Sequence, residues 1–179
     1  MSDFARLWKK VKSIDVPDFI PYPGFRPGEY LLEKGYTHAQ GAASLPCAIR
    51  YLRDNAVKMR DGVTIYSDIF LPADQPGPFP VVLAYIPYGK IDISNRKVIM
   101  LPKDGVDTSK LSHLQSWEAL DPARWCPAGY VVCQADARGA FMSEGNINFW
   151  GTQEGEDEYD LIEWLASQAW CNGKIGMAG

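Results

Sequence analysis

The stretch from Val131 to Gly179 limits the fold more than any other. Val131-Val132-Cys133-Gln134-Ala135 is a short, mostly apolar run that opens with two β-branched residues, and such a run reads as a buried strand. Asp136-Ala137-Arg138-Gly139 follows as a loop. Thr152 to Gln168 has helical spacing, with Tyr159, Ile162, Leu165 and Ala166 at three- and four-residue steps along one face. Lys174-Ile175-Gly176-Met177-Ala178 is a second apolar strand, and Gly179 follows it. A strand, a helix and a strand at this spacing form a βαβ unit, which implies parallel strands and a right-handed crossover.

A chain of 179 residues with 46% hydrophobic content can bury a full core. Its net charge of −4 provides no basic field to favour nucleic acid or an anionic membrane. No apolar run is long enough to span a bilayer, and Met1 to Lys10 lacks the apolar segment of a secretory signal. Cys47, Cys126, Cys133 and Cys171 form no C-x-x-C pair, and His38 and His113 show no ligand spacing. This argues against zinc. Reduced thiols in the cytoplasm are the default expectation. Glu154, Glu156, Asp157, Glu158 and Asp160 read as a solvated first helical turn that complements the helix dipole.

Residues 1–54 read as an extension. Phe4, Leu7, Trp8 and Val11 suit a short amphipathic helix, and Pro17, Pro21, Pro23 and Pro27 then break regular structure. The aromatic residues Phe19, Tyr22, Phe25, Tyr30 and Tyr36 suggest packing over a domain surface. The domain proper is placed at residues 55–179. There Arg60-Asp61-Gly62 separates two alternating runs, a hairpin signal. Ile65, Ser67 and Ile69 fall on one face, with Thr64, Tyr66, Asp68 and Phe70 on the other. Pro80 to Ile86 is a continuous apolar run, as in a strand buried on both faces, and Pro87-Tyr88-Gly89-Lys90 is the loop at its carboxyl end. Ile91 to Ser116 reads as a loop or small insertion. Asp121-Pro122 caps a short helix that Pro127 and Gly129 end.

Several motifs bear on chemistry. Gly173, Gly176 and Gly179 do not match the dinucleotide fingerprint, and Gly176 reads as a point of close backbone packing. Asp136-x-Arg138-Gly139 reads as a structural ion-pair corner, with direct substrate contact as the alternative, since loops at this end of a sheet can carry function. Ser143 has no strand-to-helix elbow and no nearby histidine, so it is not a nucleophile. Tyr88 in its bare context suits packing, yet a phenol at a strand's carboxyl end can also donate a hydrogen bond to a developing oxyanion. Gly179 follows a strand where many hydrolases open the sharp Gly-x-nucleophile-x-Gly turn. The nucleophile would then be the second residue beyond Gly179, so the sequence reads as the front half of a serine hydrolase.

Met59-Arg60-Asp61-Gly62-Val63, Pro87-Tyr88-Gly89-Lys90, Asp136-Ala137-Arg138-Gly139 with Ser143-Glu144-Gly145, and Gln168 through Gly179 occur in that order. Together they resemble the X-Pro dipeptidyl-peptidase and cocaine-esterase-like serine hydrolases, which include α-amino-acid ester hydrolases and acylases. The resemblance covers roughly residues 55–179 and excludes the N-terminal extension and the Ile91–Ser116 insertion. It implies an α/β-hydrolase fold, a mostly parallel sheet with an N-terminal antiparallel hairpin. It implies Tyr88 as one oxyanion donor, with the serine, aspartate and histidine of the triad lying beyond Gly179. The 179 residues alone would then be inactive. The implied substrates are small esters or amides or short peptides, and no cofactor is implied. Peptidase, esterase and acylase chemistry remain open, as does oligomeric state. Two other readings stand beside this one: a non-catalytic interaction protein of the same fold, and a hydrolase with aspartate at the elbow, such as a dehalogenase.

Overall fold

Arg60-Asp61-Gly62 turns strand β2 (Ile49–Lys58) into strand β3 (Thr64–Pro72) in the computed structural model, which describes residues 24–90, 107–148 and 150–179. Gly62 sits at φ 90°, a left-handed conformation that glycine adopts without strain. Its amide donates to the Met59 carbonyl at 2.9 Å, and the Met59 amide donates to the Val63 carbonyl at 2.8 Å. The two-residue repeat of β3 divides as its sequence suggests. Ile65 and Ile69 are buried in one apolar cluster and Phe70 in another.

The sheet does not begin at residue 55. Strand β2 starts at Ile49, and strand β1 (Gly28–Leu32) pairs with it antiparallel. Alternation explains this: Ile49 and Tyr51 are buried while Arg50 is exposed, and Tyr51 stacks on Phe70 with ring centroids 4.6 Å apart. A bulge between Leu52 and Asn55 carries Asp54 at φ 49°, and such bulges re-aim a side chain. The helix expected over Phe4 to Val11, the prolines at 17, 21 and 23, and the greater part of the 91–116 insertion lie outside the described residues.

Strands β4 (Phe79–Ile86), β5 (Val131–Asp136) and β6 (Cys171–Met177) complete a sheet of order β1-β2-β3-β5-β4-β6. β1–β2, β2–β3 and β3–β5 are antiparallel, whereas β5 and β6 both lie parallel to β4. The βαβ unit is therefore present, but β4 lies between its two strands. The chain leaves β4 on one side to form β5, then crosses to the other side to form β6. β4 is thus a topological switch point, and ligands in open α/β sheets bind at the carboxyl ends of strands at such a point.

One face of the sheet is covered by helix α2 (Thr152–Ala166), through Leu161 and Leu165 packed against Val57, Ile65, Leu83 and Cys133. The inward stripe of α2 is Asp157, Leu161 and Leu165, at four-residue steps. Tyr159, expected on the apolar face, is 57% exposed instead, with the Arg60 guanidinium 5.3 Å from its ring centroid. The opposite face is covered by helix α1 (Pro122–Trp125) and the loops around Leu45 and Leu114. Asp121 caps α1 by accepting from the Ala123 amide at 2.9 Å, and Gly129 at φ 82° ends the turn that follows. All four cysteines are buried and free, and burial pushes the Cys126 and Cys133 thiols well above their ordinary range.

Within these 179 residues strand β6 lies at the edge of the sheet and is largely exposed. A Cβ at Gly176 would meet nothing within 4 Å among the described residues. Gly139 is the contrasting case: it holds φ 74°, and a Cβ there would lie 2.5 Å from the Ile147 amide nitrogen. Left-handed strain and a backbone clash combine at that site. In the full-length protein, Gly139→Ala is expected to cost about 2–4 kcal/mol. Denaturant unfolding of the variant beside the parent checks this, and a loss within about 0.5 kcal/mol would contradict it.

Candidate active site

Two loops meet at the carboxyl ends of β4 and β5. The Ala137 amide donates to the Ile86 carbonyl at 2.8 Å, which joins the last turn of one strand to the loop of the other. Tyr88, half-buried, stands two residues past the end of β4. Gly89 follows at φ 96°, with the Phe141 ring 3.1 Å from where a Cβ would sit. Its carbonyl accepts a hydrogen bond from the Ser116 hydroxyl. Ser116 is held in turn by Gln134 of β5, whose side-chain oxygen accepts from the Ser116 amide at 2.5 Å and whose amide group donates to the Leu114 carbonyl at 2.9 Å.

Lys90 closes this loop. Its ammonium is buried and lies 2.8 Å from Asp54 Oδ1, 3.0 Å from Asp136 Oδ2 and 4.0 Å from Asp68 Oδ1. The three carboxyls come from the β2 bulge, β3 and the end of β5. Asp68 also accepts from the Tyr51 hydroxyl and the Asp54 amide, each at 2.8 Å, and Arg53 approaches Asp54 at 3.5 Å. Burial alone would lower the Lys90 pKa, but Asp136, Asp68 and Asp54 more than offset it, so the ammonium is held charged. One ammonium cannot neutralise three buried carboxylates. Burial accordingly pushes Asp136 up to about 7 and Asp68 up to about 6, against the pull of Lys90. Among the described residues Asp136 Oδ1 is buried with no hydrogen-bond partner, an arrangement that disfavours the charged form.

Asp136 and Arg138 are both ion-paired, with different partners. Arg138 makes a two-pronged contact to Asp157, at 2.7 Å from Nε and 2.6 Å from its second nitrogen, and a 2.9 Å contact to Asp61. These bonds hold the Arg138 pKa above its ordinary value and the Asp61 carboxyl below its own. The Arg138 amide donates to the Tyr85 hydroxyl at 2.9 Å. Asp157 is thus buried rather than part of a solvated first turn, and Asp160 of the same acidic run binds Arg60 at 2.6 Å. Ser143 has its hydroxyl committed to the fold: it donates to the Asp136 carbonyl at 2.8 Å and accepts from the Tyr66 amide at 3.0 Å.

Tyr88, Asp136 and Arg138 therefore share one end of the sheet. Gly179 joins them from the other side of β4. Met177 pairs with Leu83, and the Ala178 amide donates to the Leu83 carbonyl at 2.9 Å, which brings Gly179 level with Tyr85. No sequence motif joins Asp54, Asp68 and Lys90 into one cluster. A signal was available, since Asp68 is an acid directly followed by the apolar run Ile69-Phe70-Leu71 of the same strand. Among the described residues, no helix is long and apolar enough to cross a membrane.

A sheet of this order, with a helix packed on one face and loops gathered at the carboxyl end of the switch strand, defines an α/β-hydrolase. The family model described as X-Pro dipeptidyl-peptidase (S15 family) matches residues 61–179. Cocaine esterase of Rhodococcus sp. (strain MB1 Bresler) is 33% identical over 123 residues, which are 69% of this chain and 18% of that protein. A solved CocE/NonD family hydrolase from Staphylococcus aureus is similar at 37% identity and a TM-score of 0.66, over 74% of this chain and 23% of that one. An aminopeptidase from a marine sediment archaeon, Thaumarchaeota archaeon, is similar at 26% identity and a TM-score of 0.50, over 71% of this chain and 21% of that one. The chain belongs to the X-Pro dipeptidyl-peptidase (S15) family of hydrolases, and it spans less than a quarter of the length of these relatives.

Two predictions follow from the ion pairs. Arg138→Ala leaves the buried Asp157 carboxylate without its cation, which should cost about 3–5 kcal/mol of stability. Substrate affinity should change little, and a large rise in KM at unchanged Tm would instead place Arg138 against the substrate. The second prediction concerns pH. The folded-state pKa of Asp136 is raised, so the native state binds the proton more tightly than the unfolded chain does. The resulting stability is present at acid pH and lost as pH rises toward about 7. Asp136→Asn removes this loss, so relative to wild type the variant should gain about 1–3 kcal/mol between pH 5 and pH 8. A stability difference that is flat across that range would show Asp136 to be ionised throughout.

Proposed function

We propose that the full-length protein is a serine hydrolase of small ester, amide or short-peptide substrates, with Tyr88 as an oxyanion donor. The observation that carries the reading is the placement of Tyr88 at the carboxyl end of the switch strand in a chain of this family. Attack on a carbonyl puts negative charge on its oxygen. A donor already held in place stabilises that charge without reorganising. Gly179 is read as the opening glycine of the nucleophile elbow. It is level with Tyr85, so the second residue beyond it would emerge beside the Pro87–Tyr88 segment. That is where a nucleophile must stand for Tyr88 to reach the oxygen of the same carbonyl. The aspartate and histidine that activate the serine are assigned to residues beyond Gly179, and the 179 residues by themselves should be inactive. The committed hydroxyl of Ser143 supports leaving it out of the chemistry.

Tyr88→Phe in the full-length protein tests the assignment, because it removes one hydroxyl and nearly preserves packing. Loss of one oxyanion donor typically lowers kcat about 10²–10³-fold. The expected result is a fall of roughly two orders of magnitude on a short p-nitrophenyl ester, with Tm nearly unchanged and KM moving less than kcat. Wild-type turnover in Tyr88→Phe would return the tyrosine to a packing role.

A further inference from the structure

Tyr88 lies between two fixed points. On its N-terminal side the Ile86 carbonyl accepts from the Ala137 amide at 2.8 Å. On its C-terminal side the chain is held at Gly89 by Ser116 and at Lys90 by the carboxyl cluster. The second anchor is unusual in its construction. A lysine side chain normally extends into water, yet Lys90 is only 5% exposed and reaches acids from three other strands. Seating the ammonium among these acids ties the chain at residue 90 to the cluster, and Tyr88 is two residues away.

We propose that Lys90 is the positioning residue for Tyr88, its ammonium seated among Asp54, Asp68 and Asp136 so that the Pro87–Gly89 loop holds the phenol toward the reacting carbonyl. This rests on the reading of Tyr88 as the oxyanion donor. Lys90 itself touches no substrate. Its effect on the reaction passes through the placement of the Tyr88 hydroxyl, and a misplacement of about 1 Å in such a group can cost on the order of 10² in rate. The groups facing the ammonium are Asp54 of the β2 bulge, Asp68 of β3 and Asp136 of β5, with Arg53 and Tyr51 bound to those acids.

A double-mutant cycle separates positioning from a general structural role. The full-length protein is measured as wild type, Lys90→Met, Tyr88→Phe and the double variant, on a p-nitrophenyl ester, with thermal melts alongside. Positioning predicts that Lys90→Met lowers kcat by at least about tenfold with KM changed less. In the Tyr88→Phe background the same change should lower kcat by less than about threefold, because the hydroxyl it aims is already gone. Equal fold-losses in both backgrounds would overturn the proposal while leaving the oxyanion role of Tyr88 intact. Wild-type turnover of Tyr88→Phe alone would overturn that role, and the positioning proposal with it. Should Lys90→Met not fold, Asp54→Asn runs the same cycle. Asparagine tolerates the φ of 49° at residue 54. It keeps only one acceptor oxygen for the two donors now on Asp54, Lys90 at 2.8 Å and the Arg26 amide at 2.7 Å.

Discussion

A single buried ammonium holds the working end of this sheet together. Lys90 follows β4 and is bonded to Asp54 on β2 and Asp136 at the end of β5, with Asp68 of β3 at 4.0 Å. Backbone ladders join β2, β3, β5 and β4 only pairwise, and the ammonium reaches groups from all of them at one point. Charges removed from water are a costly way to gain stability, and a well-packed apolar cluster of the same volume often does as well. What the charged cluster adds is a fixed place: an ammonium with three donors has few ways to satisfy several acids at once. Apolar contacts tolerate small slips, and a hydrogen-bonded lysine tolerates fewer.

The loop after β5 distributes the remaining ties. Asp136 binds Lys90, the Ala137 amide binds the Ile86 carbonyl, and Arg138 binds Asp157 of α2 and Asp61 of the hairpin turn. Three consecutive residues thus address the switch strand, the covering helix and the β2–β3 turn. Arg60, next to Asp61, binds Asp160 one turn further along α2. The turn that sequence marked by its Asp-Gly signal therefore also sets where α2 lies. Gly139 ends the segment because the chain passes too close to Ile147 for any side chain.

The sequence disclosed the periodic elements well and the charged ones poorly. The apolar run of β4, the alternation of β3, the cap at Asp121 and the strand–helix–strand unit were legible because each depends on neighbours along the chain. The position of β4 between β5 and β6 was not, since strand order depends on contacts far apart in sequence. Residues 28–54 looked like an extension because the prolines before them and their own aromatics drew attention from the Ile49–Tyr51 alternation. The acidic run of α2 looked solvated because its composition is polar, yet Asp157 turns inward to a partner 19 residues away. The same limit hid the Lys90 cluster: Asp54, Asp68 and Asp136 are scattered over three strands, and only folding brings them to one ammonium. Tyr88 and Gly179 were legible as a pair only through motifs, and the level of Gly179 beside Tyr85 of β4 came from the register.

The charge state of the cluster bears directly on the chemistry proposed beside it. Three ionised carboxylates near the carboxyl end of β4 would oppose the growth of negative charge on a nearby carbonyl oxygen. Lys90 and Arg53 supply two positive charges, which leaves an excess of one acid. Below about pH 7 a proton retained by the buried Asp136, whose Oδ1 has no hydrogen-bond partner among the described residues, removes that excess. A near-neutral cluster can then hold the Tyr88 loop rigidly without setting a field against the oxyanion that Tyr88 would stabilise. The high pKa of Asp136 is therefore consistent with the rest of the site: burial favours the protonated carboxyl, and a developing oxyanion nearby would favour it as well.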